Sequence, residues 1–86
     1  MKPILLEEVF SPGCRICNEF EAFWRETAKD FPNVEFRRLD ILQTEGQQAI
    51  QKYMIFSSPG IIINSELFSS GGFDAEELVK KLKELS

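Results

Sequence analysis

Cys14 and Cys17 are the only cysteines in this chain, and two residues separate them. They follow a short apolar segment that ends at Phe10 and the turn signal Ser11-Pro12-Gly13, and they open a stretch with helical spacing of apolar residues. Residues three apart on a helix are neighbours, so the two sulfurs can exchange between a dithiol and a disulfide with little backbone movement. The spacing and the position together predict a redox-active pair.

The two cysteines are expected to have different roles. Cys14 would lie beside the free N–H groups and the positive dipole end of a helix, and both favour thiolate over thiol. Arg15 adds a positive charge nearby. We therefore predict Cys14 as the exposed nucleophile that attacks a disulfide and Cys17, one turn further, as the resolving thiol.

The sequence is also compatible with other uses of a cysteine pair. A structural disulfide is one of them, although so short a loop gains little from closure. A closed zinc site needs four ligands, and the chain has no His, so no metal site is predicted within a monomer. A dimer that shares four cysteines around zinc or an iron–sulfur cluster, and a redox-inert binding module, are the remaining alternatives.

The hydrophobic pattern predicts the element order βαβαββα. Strands are expected at residues 4–10, 34–41, 61–63 and 66–69, the last two joined by a turn at Asn64-Ser65. The first helix is expected over about 14–31, where Pro32-Asn33 stops it. A right-handed parallel βαβ unit begins the order, and two helices should cover one face of the sheet and the third the other.

Two helices carry capping signals. Thr44 and Gln47 form a capping-box pattern for the second helix, whose first turn Gly46 weakens slightly. Asp74 and Glu77 form the equivalent pattern for the last helix, in which Phe73 is also spaced to pack on Leu78. We expect both helices to begin at these caps.

Length and composition point to one domain over residues 1–86. The chain is 43% hydrophobic with eight Phe, and its formal net charge of −4 argues against nucleic acid as a partner. No segment is long enough to cross a bilayer, and the apolar run Ile4-Leu5-Leu6 is too short for a signal peptide. We therefore expect a cytoplasmic monomer, in a compartment where cysteines serve catalysis more often than structure.

The chain resembles the thioredoxin/glutaredoxin superfamily in its short, glutaredoxin-like form. Residues 10–17, residues 53–59, the hairpin over residues 61–69 and Gly71-Gly72 carry the resemblance, which covers almost the whole length. It implies an α/β thioredoxin fold, a four-stranded mixed sheet flanked by three helices, with no cofactor. It also implies a cis Ser58–Pro59 bond beside Cys14.

The resemblance further implies a substrate-binding surface around the cysteines. Ser58, before the cis-proline, would offer its backbone to an extended substrate. Pro12, Gly13 and Arg15 flank the cysteines and would join Ser58 and Pro59 in this surface.

Glu8 is the remaining candidate for catalysis. It lies six residues before Cys14, where thioredoxins carry a buried acid near the resolving thiol, and Arg38 lies where a basic strand residue accompanies that acid. A partly buried carboxylate with a raised pKa could accept the Cys17 proton. The alternatives are that Glu8 points to solvent or forms a structural ion pair with Arg38.

The implied function is that of a thiol–disulfide oxidoreductase, either a thioredoxin-like protein disulfide reductase or a redox relay. Its expected partners are disulfide-containing proteins and a reductase, or glutathione if the chain is a glutaredoxin. Arg15 and Ile16 between the cysteines match neither family's usual setting, so the direction of electron flow stays open.

Overall fold

The strands and helices occur in the predicted order in a computed structural model, which describes residues 1–86. The strands are β1 Ile4–Phe10, β2 Val34–Asp40, β3 Gly60–Ile63 and β4 Glu66–Ser70, and the helices are α1 Arg15–Thr27, α2 Thr44–Tyr53 and α3 Ala75–Leu85. The first helix is shorter than expected, because a 3₁₀ turn at Ala28–Asp30 follows it. None of the helices has the length and apolar character needed to cross a membrane.

The four strands form one mixed sheet in the order β2-β1-β3-β4. β1 is parallel to β2 and antiparallel to β3, which pairs with β4 in a hairpin. The hairpin turns at Asn64 and Ser65, both with positive φ, as in a type I′ turn. β1 is therefore an interior strand, and the register sets its Glu8 opposite Arg38 on β2.

Helices pack on both faces of the sheet, two on one face and one on the other, as predicted. The larger core joins the inner faces of α1 and α3 to the sheet through Leu6, Phe20, Trp24, Ile61, Leu78 and Leu82. The smaller core lies under α2 and contains Val9, Leu39, Ala49, Ile55 and Ile62. Because side chains alternate along a strand, Glu8 lies on the same face of β1 as Leu6 and so faces the larger core.

The helix starts confirm one capping prediction and contradict the other. Asp74 caps α3, where its carboxylate accepts the Glu77 N–H at 3.1 Å. The capping box at Thr44 is wrong: Gln43 is the N-cap of α2, and no side chain caps it. A turn after β2 starts this helix instead, since the Asp40 carbonyl accepts the Gln43 N–H and its carboxylate accepts the Leu42 N–H.

Gly46 has a packing role that its helix propensity does not reveal. It is buried where the first turn of α2 crosses the end of β2, and a Cβ there would overlap the carbonyl oxygen of Asp40. A side chain at this position would push α2 away from the sheet. The glycine therefore permits close helix–strand contact rather than merely weakening the helix.

Candidate active site

The turn between β1 and α1 places Cys14 at the start of the helix. The Cys14 N–H donates to the Ser11 carbonyl at 3.2 Å, and Gly13 between them has a φ of 78°. Proline at the second position and a positive-φ glycine at the third are typical of a type II turn. Cys14 then has extended backbone angles and serves as the N-cap of α1.

Cys14 and Cys17 form a disulfide, with their Cα atoms 5.2 Å apart. The Cys17 N–H donates to Cys14 Sγ at 3.1 Å, so one of the free donors at the helix start faces this sulfur. Cys14 is half-buried, whereas only 1% of Cys17 is exposed. The accessibility of the two residues thus differs in the direction expected for an attacking and a resolving thiol.

The loop between α2 and β3, residues 54–59 and called the Pro59 loop below, lies against Cys14. The Ser58–Pro59 bond is cis, and the Ser58 hydroxyl donates to Cys14 Sγ at 3.6 Å. Pro59 is buried, and its carbonyl accepts the Gly71 N–H at 3.0 Å. The backbone N–H and C=O of Ser58 make no hydrogen bond within the chain.

Ser11 completes this contact, although the sequence identified it only as a turn residue. Its Oγ lies 2.7 Å from the Oγ of Ser58. The two serines are 47 residues apart, and only the packing of the Pro59 loop on the β1–α1 turn brings them together. No local sequence signal could have shown this contact.

Glu8 is completely buried, which excludes the alternative that it points to solvent. Its Oε1 lies 3.5 Å from the Nε of Arg38, whose side chain is 43% exposed. The pKa of Glu8 is raised to about 8; burial is the largest cause, the Glu21 carboxylate adds to the shift, and Arg38 opposes it. A carboxyl with this pKa can hold or release a proton near neutral pH.

Glu21 is a neighbour of Glu8 that sequence reasoning missed. Its Oε2 accepts a hydrogen bond from Nη2 of Arg38 at 2.7 Å, so Arg38 is shared between two carboxylates. The Arg38 guanidinium also stacks over the Phe10 ring, 3.9 Å from its centroid. The available signal was spacing, because Glu21 lies four residues after Cys17 and therefore on the same helix face.

The remaining predicted site residues lie at the surface beside the cysteines. Pro12, Gly13 and Arg15 are exposed. The Arg15 Nε lies 4.0 Å from Oε1 of Glu19, so its charge is directed along the helix surface. Phe56 is 88% exposed two residues before Ser58; it too was missed, because a phenylalanine near a strand is normally expected in the core.

The structure holds no group of three or more His, Cys, Asp or Glu side chains arranged to bind a metal ion. The two clustered carboxylates, Glu8 and Glu21, already face the guanidinium of Arg38. A cation at this position would have to displace Arg38.

Comparisons with known proteins agree with this architecture. Residues 7–84 match the sequence model of a thioredoxin domain family. A search of curated proteins gave no match. Among solved structures, Fasciola hepatica thioredoxin aligns at a TM-score of 0.77 and 21% identity, over 98% of this chain and 82% of that one.

Two further thioredoxins show the same similarity of fold. Mitochondrial thioredoxin 3 from Saccharomyces cerevisiae, in its oxidised form, aligns at a TM-score of 0.76 and 16% identity, over 98% of this chain and 80% of that one. The Drosophila melanogaster germline thioredoxin Deadhead aligns at 0.77 and 16% identity, over 99% and 83%. With its predicted α/β fold confirmed and nearly all of its length matched, the chain belongs to the thioredoxin domain family.

Proposed function

We propose that this protein is a thiol–disulfide oxidoreductase that reduces disulfides in protein substrates, with Cys14 as nucleophile and Cys17 as resolving thiol. One observation carries the proposal. Cys14 Sγ lies at the accessible start of α1, it is bonded to a buried Cys17, and it contacts the Pro59 loop. A structural disulfide alone would not need an accessible sulfur beside an unpaired stretch of backbone.

The reaction begins from the reduced pair. The Cys14 thiolate attacks one sulfur of the substrate disulfide, the substrate S–S bond breaks, and the other substrate sulfur leaves as a thiolate that takes a proton. Cys17 then loses its proton and attacks Cys14 Sγ. The mixed disulfide breaks and the second substrate sulfur also takes a proton. The substrate gains two electrons and two protons, and the chain keeps the Cys14–Cys17 disulfide.

Glu8 is proposed as the acceptor of the Cys17 proton. Glu21 shares a face of α1 with Cys17 and contacts Arg38, the ion-pair partner of Glu8, so the buried carboxyl lies on the side of the helix that Cys17 faces. A pKa of about 8 favours the protonated carboxyl at neutral pH. Only the ionised fraction, about a tenth of Glu8 at pH 7, accepts the Cys17 proton, directly or through one water, and it binds this proton firmly because its pKa is high.

Substrate binding is proposed at the surface around the half-buried Cys14. The free backbone N–H and C=O of Ser58 can pair with an extended peptide as an added strand would. Pro12, Gly13 and Phe56 supply exposed apolar contact next to it. A surface formed by so few residues suits the small, transient contacts typical of redox partners.

The oxidised chain must be reduced again before another cycle. A dithiol reductase or two glutathione molecules would supply the two electrons. The reductase would be left with a disulfide of its own, and the two glutathione molecules would leave as one glutathione disulfide. We expect this re-reduction to take place in a thiol-reducing compartment such as the cytoplasm. Measuring the rate of re-reduction by glutathione against that by a thioredoxin reductase decides which donor serves the protein.

The proposal is tested by trapping. Cys17→Ser should hold substrates on Cys14 as mixed disulfides that a reductant releases, whereas Cys14→Ser should hold none. Wild type should reduce insulin when a dithiol is supplied, and both variants should lose that activity. If Cys17→Ser traps no protein from cell extract and wild type reduces neither insulin nor glutathione mixed disulfides, the proposal is wrong. Stoichiometric zinc or iron in a dimer would indicate the metal-carrier alternative instead.

The role of Glu8 needs its own measurement. Glu8→Gln keeps the shape of the side chain but cannot accept the proton, so resolution of a preformed mixed disulfide on Cys14 should slow by roughly tenfold to a hundredfold near pH 7. Glu7→Gln, on the opposite face of β1, is the matched control and should resolve at the wild-type rate. An unchanged rate and pH profile in Glu8→Gln would leave Glu8 as a structural ion pair.

A further inference from the structure

The sulfur of Cys14 is the end of a short row of polar groups. Ser11 Oγ lies 2.7 Å from Ser58 Oγ, which lies 3.6 Å from Cys14 Sγ. The three side chains come from the β1–α1 turn, the Pro59 loop and the start of α1, and all three are half-buried. Tertiary packing thus assembles a row that no local segment could make.

Counting protons fixes the direction of these hydrogen bonds. A hydroxyl group has one proton to donate, and neither a disulfide sulfur nor a thiolate has any. The Ser58–Cys14 contact therefore requires Ser58 to donate to the sulfur. Ser58 then has no proton left for Ser11, so Ser11 must donate to Ser58.

The row interacts differently with the two redox states of Cys14. A disulfide sulfur is neutral and accepts hydrogen bonds weakly, whereas a thiolate is charged and accepts them about twice as strongly. Polarisation along the row strengthens the donor that faces the charge. The Ser11–Ser58 row therefore stabilises the reduced thiolate more than the disulfide.

Few other groups compete for this role. The chain has no charged residue between Lys52 and Glu66, a range that includes the whole Pro59 loop, and Arg15 is directed toward Glu19. The Cys17 N–H also donates to Cys14 Sγ, but it is a backbone group that every variant keeps. The Ser58 hydroxyl is the one side-chain donor that contacts the sulfur.

We propose that Ser11 is a positioning residue for the nucleophile. Its hydroxyl donates to Ser58 Oγ, so the Ser58 hydroxyl proton is directed at Cys14 Sγ and stabilises the Cys14 thiolate. This rests on the proposed function, in which that thiolate attacks the substrate. Ser11 acts only through Ser58, so its effect disappears when Ser58 lacks a hydroxyl.

The test is a double-mutant cycle on the reduced protein. Alkylation of Cys14 by iodoacetamide is followed through the mass of the Cys14 peptide. Its pH midpoint should rise by about 1 pH unit in Ser58→Ala. Ser11→Ala should raise it by about half as much, and the double variant should match Ser58→Ala alone. At fixed glutathione ratio, Ser58→Ala should shift the equilibrium about tenfold toward the disulfide.

Three controls keep the result interpretable. Ser57→Ala removes a neighbouring exposed hydroxyl that makes no such contact and should behave as wild type, and Ser58→Thr should retain the wild-type midpoint. Repeating the cycle with Glu8→Gln removes the titration of Glu8, and the differences between variants should persist. Circular dichroism establishes that each variant is folded.

Additive effects of the two serines, or a wild-type midpoint in Ser11→Ala, would overturn the inference. Because alkylation needs no disulfide substrate, the midpoints can be measured whether or not the protein reduces disulfides. A protein that traps and reduces no substrate but shows the non-additive midpoints would disprove the enzyme activity alone. An active reductase with additive midpoints would disprove the positioning role alone.

Discussion

Arg38 Nε lies 3.5 Å from Oε1 of Glu8, a carboxyl with no exposed surface. The same guanidinium donates to Glu21 at 2.7 Å and is itself 43% exposed. One partly solvated cation thus serves two carboxylates, and neither oxygen of Glu8 has a hydrogen bond in the chain. Burial without adequate compensation favours the neutral carboxyl, which is why the pKa of Glu8 is raised to about 8.

The raised pKa of Glu8 predicts a pH-dependent loss of stability. Below pH 4.5 the carboxyl is protonated in both the folded and the unfolded chain. Between the ordinary value of 4.5 and the folded value of about 8, only the unfolded chain gives up the proton. The free energy of unfolding should therefore fall by on the order of 1 kcal/mol for each pH unit in this window.

Urea unfolding of the oxidised protein from pH 4 to 9 measures this effect. Glu8→Gln should lack the decline and should exceed the wild-type stability by a few kcal/mol at pH 8. Glu7→Gln should follow the wild-type curve. A constant difference between wild type and Glu8→Gln across the whole pH range would show that the pKa of Glu8 is not raised.

Removing the charge of Glu21 should lower the pKa of Glu8. Glu21→Gln abolishes one repulsion that disfavours the Glu8 carboxylate and frees Arg38 to pair with Glu8 alone. We therefore expect the pKa of Glu8 to fall by about 1 pH unit. The carboxyl carbon shift of Glu8, followed by NMR as a function of pH, reports it. Glu19→Gln is the control from the exposed surface of the same helix, and an equal change in both variants would argue against a specific effect.

Gly46→Ala should destabilise the protein although alanine is the better helix former. The new methyl group would overlap the Asp40 carbonyl, and relieving such a clash by a backbone shift costs about 1–3 kcal/mol. Gln48→Ala, at an exposed position of the same helix, should change the free energy of unfolding by less than about 0.5 kcal/mol. A gain in stability for Gly46→Ala would show that α2 lies further from β2.

Removing the side chain at the two predicted caps should change the free energy of unfolding by different amounts. Asp74→Ala removes the acceptor for the Glu77 N–H and should cost about 1 kcal/mol of stability. Thr44→Ala removes a side chain that caps nothing, so its effect should stay within about 0.5 kcal/mol. Thermal or urea unfolding compares them directly, and equal losses would mean that Thr44 does cap α2 in solution.

The sequence by itself determined the order of the elements, the place of the cysteine pair and the cap of α3. These features depend on residues within one or two turns of each other, and their spacing records the helix and strand periods. The capping pattern at Thr44 failed because a neighbouring turn decides where α2 begins. The Asp40 turn binds the N–H groups of Leu42 and Gln43 just before α2, so Gln43 becomes the N-cap and Thr44 lies inside the first turn of the helix.

Tertiary structure alone decided the state of Glu8 and the environment of Cys14. The pKa of Glu8 is raised to about 8 because tertiary packing buries its carboxyl and brings Glu21 of α1 close to it, while Arg38, which the sheet register sets opposite, only partly offsets these effects. Ser58 reaches Cys14 and Ser11 only because the Pro59 loop folds onto the β1–α1 turn. Desolvation and charge act through space, so groups 13 to 47 residues apart set the chemistry of a site whose residues the local pattern had already located.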